Sequence, residues 1–380
     1  MTPTAGRPVV PAPRSGRRVV GLAGLGVAVA AAGTLLALSP DHKQPAGPQQ
    51  PRTVAEVWPD AERADLAGGL PDGPQYSPVY FLDAKTSLGT APEPGGTDQR
   101  LVLRTADGSV RELRRLPVDG TPQFGGFVRA GDEVAWAESV SDADGSARTR
   151  MWIANVASGG PARMLTEDTG DVVLFNSEYD MVIAGGRLHW VSVSPQSETA
   201  TEVRSVPLGG GTVSVRDEPG AWALSAWPWL VSAGSGQTGP VQLRNLDTQQ
   251  VTTVDATATE LATCGPAWCR VLVLAGEGPS RIDLMRPDGG DRRRVAGGAA
   301  TASVIDVALL DRFEVLSQSG GDGSAPISSQ QLLLYDLKEQ RVVVVADGVG
   351  IVQSRGGLLW WSTGDNETTA WHTIDLRTLK

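Results

Sequence analysis

The stretch that decides the fold runs Glu133-Val-Ala-Trp-Ala137 and then Met151-Trp-Ile-Ala-Asn-Val-Ala-Ser-Gly-Gly-Pro-Ala-Arg-Met-Leu-Thr166. It contains short apolar runs that alternate with polar residues, broken by a Gly-Gly pair. That is the period of strands, with a turn between them that reaches the positive φ values most residues avoid. The same unit recurs along the chain. A strand-turn-strand begins at Leu101 and turns at Asp107-Gly108, and further copies start near Glu202, Gln242, Arg281, Leu332 and Trp371. Their turns fall at Gly209-Gly210-Gly211, Asp247-Thr248 and Asp288-Gly289. A further strand precedes each hairpin, as in Arg187-Leu-His-Trp-Val191, Trp229-Leu-Val-Ser232, Arg270-Val-Leu-Val-Leu274, Phe313-Glu-Val-Leu316 and Gly357-Leu-Leu-Trp-Trp361.

Counted this way, each unit holds about four strands and recurs roughly every 38 to 52 residues, the spacing of propeller blades. Seven units are present if Val79 opens the first, and no long 3.6-residue period appears after Thr53. The last unit reaches Lys380 after three strands, while the segment around Thr53-Val-Ala-Glu-Val-Trp58 has no blade of its own. The sequence therefore predicts an all-β, seven-bladed β-propeller over residues 53–380, closed by an N-terminal strand that completes the last blade and removes the open edge.

Ahead of the propeller the composition changes. Residues 1–18 are Pro-rich and basic, ending in Arg17-Arg18, and Val19–Leu38 carries no charge. Its length suits one transmembrane helix with the basic flank inside, which predicts a cytoplasmic tail at 1–18, a signal anchor at 19–38, and an extracytoplasmic C-terminal domain. A cleaved signal peptide is the alternative. Ala37-Leu38-Ser39 fits a cleavage site loosely, with Pro40 against it, and no Cys is there to take a lipid. Residues 39–52 read as an extended Pro/Gln linker.

Charge narrows the partners. The net charge is -10, and Asp41 is the only acidic residue up to Arg52, against six basic ones. The propeller is thus more acidic than the whole chain, which disfavours nucleic acid.

Few residues suggest chemistry. Cys264 and Cys269 enclose Gly-Pro-Ala-Trp and, outside the cytoplasm, predict a structural disulfide. Trp136, Trp190 and Trp360 hold matching positions in different units, which predicts packing between blades. Trp222, Trp227 and Trp229 cluster around Pro228 and are candidate aromatics for a ligand face. Asp142–Ser146 and Gly320–Ser324 resemble fragments of calcium loops but lack the remaining ligands, and read as solvated turns. His189 and His372 lie within strands. No Gly-x-Ser-x-Gly elbow occurs, and no catalytic, metal or cofactor constellation stands out, although acidic pairs are plentiful. Polar loops at 85–99, 140–149, 194–201, 234–239, 318–330 and 364–369 share one face of the predicted disc and are candidates for recognition.

Gly159-Gly160-Pro161-Ala162-Arg163-Met164-Leu165-Thr166 and Arg281–Gly289 resemble the repeat of TolB-like propellers, which is related to WD-type repeats. The resemblance implies the propeller fold and a protein-interaction role at the cell envelope. With enzyme signatures missing from the chain, the leading expectation is a membrane-anchored, monomeric, non-enzymatic module that binds an envelope protein or a small or carbohydrate ligand, without a cofactor. The alternative is a propeller enzyme, hydrolase or lyase, acting on cell-wall carbohydrate through acidic residues around the channel.

Overall fold

The computed structural model describes residues 51–380 apart from 143–145, 234–238, 277, 320–329 and 366–367. The expected tail, transmembrane helix and most of the linker lie outside the described residues. Among the described residues no helix is long and apolar enough to cross a membrane.

Seven antiparallel sheets follow one another along the chain. Blade 1 comprises Ser77–Phe81, Ser87–Pro92, Asp98–Arg104 and Val110–Pro117. Blade 2 opens at Gln123–Ala130, blade 3 at Asp171–Val172, blade 4 at Trp222–Leu224, blade 5 at Glu260–Cys264, blade 6 at Ala300–Ala302 and blade 7 at Val352–Arg355. The expected hairpin turns carry left-handed glycines at Gly108, Gly159, Gly210 and Gly289.

The seven-bladed ring stands, with one change in how it closes. The strand that completes blade 7 is Arg63–Ala67, paired antiparallel to Ala370–Asp375, with Asp65 opposite His372. The segment at 53–58 is not that strand. Arg52 and Thr53 pair in parallel with Val343 and Val344 on the edge of blade 6, and Val54–Val57 turns into one helical turn. A capping box explains the difference: the Glu56 carboxylate accepts from the Thr53 backbone N–H at 2.7 Å, an interaction a strand would forgo. Two of the expected loops are also shorter than their sequence suggests. Ala91 and Pro92 pair with Arg100 and Gln99, and Val193 pairs with Thr201, so the hairpins zip almost to their tips.

The core lies between blades. Trp136 packs with Tyr80, Leu103 and Phe127 at the blade 1–2 boundary, Trp190 with Ile153 and Leu165 at the next, and Trp360 with Phe81 where blade 7 meets blade 1. All three indoles are essentially inaccessible. Burying such large rings adds substantial apolar area at these three boundaries.

Candidate functional site

Two blades break the pattern at the axis. The first strand of blade 3 pairs with its neighbour at Asp171–Val172, leaves it over residues 173–180, and returns at Met181–Ala184. Blade 6 does likewise: Ala300–Ala302 pairs normally, and the chain then departs before Phe313. The interruptions coincide with polar residues where apolar alternation should continue, Asn176-Ser-Glu-Tyr-Asp180 and Asp306. Neither excursion can stay in the sheet without burying these groups against a neighbouring blade.

The excursions meet. The Ser177 hydroxyl donates to Asp306 Oδ1 at 2.5 Å, and the Glu178 backbone N–H donates to Asp306 Oδ2 at 2.8 Å. Blade 7 holds the junction from a third side, with Gly356 N–H donating to Glu178 Oε2 at 2.8 Å and Arg355 to the Ser177 carbonyl at 2.9 Å. Blade 2 makes room: Gly126 has φ +61°, and a Cβ there would lie 2.9 Å from the Met181 sulfur. The blade 6 excursion is fixed by a buried ion pair, Arg270 with Glu314. Arg270 also donates to the Asp306 carbonyl at 2.8 Å, and Glu314 accepts from Ala308 N–H at 2.9 Å. That excursion is strained, because Ala308, Leu310 and Asp311 all have φ between 50° and 56° without being glycine. Such backbone costs on the order of 1 kcal/mol or more per residue and concentrates at functional sites.

Around this junction is a cavity of about 920 Å³, lined by first strands of the blades and by Glu178, Tyr179, Asp180, Asp306, Asp311 and Arg355. Burial raises the Glu178 carboxyl above the ordinary range, and the Asp306 charge adds to the shift. Burial likewise raises Asp306 and Asp180. The Tyr179 phenol, hydrogen-bonded to Glu178, is raised first by burial and then by the Glu178 charge. Asp306, with both oxygens engaged, and Asp180, which caps the Phe175 N–H at 2.7 Å, are both buried, whereas Glu178 is half-buried and is the one of the three that can exchange a proton with something in the cavity. Four polar atoms among the lining residues have no protein partner: the indole N–H groups of Trp268 and Trp360 and the hydroxyls of Ser303 and Ser354.

The residues singled out from sequence stand elsewhere. Cys264 and Cys269 form the expected disulfide, bridging directly opposed residues 4.0 Å apart at Cα, and Cys264 borders the cavity. Trp222 is buried with its indole N–H on the Pro219 carbonyl at 2.7 Å. Trp227 lies on the His189 ring, centroids 3.9 Å apart, and Trp229 packs toward blade 5. None of the three lines the cavity. The Gly320–Ser324 turn and the centre of the Asp142–Ser146 turn fall outside the described residues. His372 takes Asp65 on Nδ1 and Thr363 on Nε2, each at 2.7 Å, across blade 7. The order hydroxyl, imidazole, carboxylate is that of a nucleophilic triad, but Thr363 does not line the adjoining cleft and the Asp65 side chain is 85% exposed, so the trio acts as a cross-strand tie. Glu178, Asp306 and Arg355 escaped the sequence reading. Their one signal was the polar run where a first strand should alternate.

No family model and no curated protein matches the chain. Solved structures do. An oligogalacturonate lyase in complex with manganese shares 11% identity over 84% of this chain and 99% of that one, with a TM-score of 0.52. A prolyl endopeptidase shares 14% over 84% of this chain and 48% of that one, with a TM-score of 0.50. The propeller domain of a trilobed protease from Pyrococcus furiosus shares 12% over 64% and 80%, with a TM-score of 0.44. The chain spans about half the length of the prolyl endopeptidase.

At these identities the likeness establishes the propeller fold. It carries the TolB-like resemblance no further than that fold, and it corrects the functional expectation. The two structures matched over 84% of this chain are a lyase and a prolyl endopeptidase, which runs against the expectation of a non-enzymatic interaction module, and that expectation is withdrawn. The manganese of the lyase finds no counterpart among the described residues, where no three His, Cys, Asp or Glu side chains converge as a metal-binding group.

Proposed function

We propose that the chain is a propeller enzyme, hydrolase or lyase, that acts on carbohydrate in the axial cavity, with Glu178 as proton donor. The observation that carries this reading is the setting of Glu178. It is half-buried at the junction of three blades, oriented by Gly356 N–H and the Tyr179 phenol, and burial raises its carboxyl, so that it keeps a proton to donate to higher pH than an ordinary glutamate. Glycosidic cleavage, by water or by elimination, needs a proton delivered to the departing oxygen. Asp311, exposed on the same cavity, is the second carboxylate available to activate water or receive a proton.

The setting we propose is outside the cytoplasm, with Val19–Leu38 as the anchor. The Cys264–Cys269 disulfide supports an oxidising compartment.

Incubation with neutral, acidic and amino-bearing oligosaccharides tests the reading. New reducing ends mark hydrolysis, and unsaturated ends mark elimination. Glu178→Gln is expected to lower turnover by about 100-fold or more, the usual contribution of a positioned acid. No product from any of the three classes would overturn it.

A further inference from the structure

The blade 6 excursion is clamped from both faces of its sheet. Phe313 and Glu314 follow it directly and, as neighbours on one strand, point to opposite sides. On the blade 5 side, Glu314 holds Arg270 and accepts from Ala308 N–H. On the blade 7 side, Phe313 meets the N-terminal segment: the Trp58 ring stands edge-on to it, with centroids 5.8 Å apart and planes at 87°. Val54 and Trp58 are both buried and share one apolar cluster with Leu309 and Phe313. Leu309 belongs to the excursion itself, between Ala308 and Leu310, whose positive φ marks the strain. Its carbonyl accepts from Arg312 N–H at 3.1 Å and Phe313 N–H at 2.9 Å. Strained backbone of this kind persists only where its surroundings hold it in place.

The two clamps differ in how firmly they are attached. The blade 5 clamp is a buried ion pair between the second strands of adjacent blades, Cys269–Ala275 and Phe313–Ser319. The blade 7 clamp is a peripheral piece of chain. Arg52 and Thr53 give it two residues of strand pairing, one helical turn follows, and Ala55 and Glu56 between the buried side chains are exposed. Its seat is also incomplete. The Trp58 indole N–H is buried without an acceptor, a cost that water removes on release. A cleft of about 410 Å³ opens beside Val54, lined further by Val345, Trp361 and Ile374.

We propose that residues 52–58 are a strap that regulates the axial site. Seated, the strap braces the excursion that presents Asp306 and Asp311; displaced, it lets that excursion relax. The strap continues into residues 1–50, and a load borne by them is relayed through Trp58 to the excursion. The coupling lies in the packing and exists whether or not the cavity turns over a substrate.

Hydrogen–deuterium exchange on the full chain in detergent tests this, comparing the native protein with two variants. Glu56→Ala removes the capping box at an exposed position without opening the core, and Trp58→Ala removes the brace itself. In Glu56→Ala, residues 52–58 and 303–312 are both expected to exchange about fivefold faster, the change that losing one helix cap gives. In Trp58→Ala the effect is expected to be larger, while Glu133–Ser141 of blade 2 keeps its native rate in both. A faster strap with 303–312 unchanged would overturn the proposal. So would a uniform acceleration of every blade, which is ordinary loss of stability. An unmoved strap in Glu56→Ala would overturn the weak seating on which the switch depends. Exchange reports no turnover, so failure here leaves the enzyme reading standing.

Discussion

The Ser177 hydroxyl of blade 3 and the Asp306 carboxylate of blade 6 are joined at 2.5 Å across the axis of the ring, 129 residues apart in the chain. The contact draws three carboxyl groups inward, and each is raised above its ordinary value, with burial as the first cause. An acid whose folded value is raised holds its proton more tightly when folded. Its favourable contribution is complete below the unfolded value and is lost as pH rises through the folded one. Stability is therefore expected to fall, relative to Glu178→Gln, as pH climbs from about 4. Chemical denaturation of both proteins across that range checks it. A constant difference between them would count against a perturbed Glu178.

Activity follows the same proton. If Glu178 is the donor, the rate declines as pH rises through its raised value, and Glu178→Gln abolishes that limb of the profile as well as most of the rate. A residual rate with the limb intact would assign the proton to another group.

The Cys264–Cys269 bridge closes a short hairpin at the edge of the cavity. Chain-entropy arithmetic for so small a ring gives about 2 kcal/mol. The double Cys→Ser variant is expected to lose about that much by denaturant melting, and reduction of the native protein to do the same. A loss near zero would show that the hairpin is held by its strand pairing alone.

Leu310 offers the opposite test. It is 49% exposed and held at φ 56°, so its side chain gains little from packing while its backbone is strained. Leu310→Gly is expected to stabilise the fold by about 1 kcal/mol. If activity falls at the same time, the strain serves the site, and thermal melts paired with rate measurements separate the two effects.

The ring was legible in the sequence because each blade repeats the same demands: glycine at the turn, alternation in the strands, and a large aromatic where blades face each other. Trp136 and Trp190 announce their places because the repeat aligns them. The site was not legible for the same reason. Ser177, Glu178 and Asp306 depart from the repeat, and a departure has no partner elsewhere in the sequence to align with. Their proximity is a product of the ring, which brings blades 3, 6 and 7 to one axis. The Trp222–Trp229 cluster drew notice by density, but in the structure its rings are taken up by Pro219, His189 and the blade 5 boundary. Nor did composition distinguish the segment at 53–58 from a strand; its helical turn depends on the Glu56 side chain reaching back three residues.

The pairing of Arg63–Ala67 with Ala370–Asp375 also sets a timetable. One of the earliest strands off the ribosome has as its mate one of the latest. At about 5–20 residues per second, the first waits roughly 15–60 s for the second. Until then the nascent propeller is an open arc with an unzipped edge at either extremity. Arg63 and Asp65, whose side chains stay at the surface even in the finished ring, put a charge of each sign on the waiting strand and discourage any neighbour that would pair with it first.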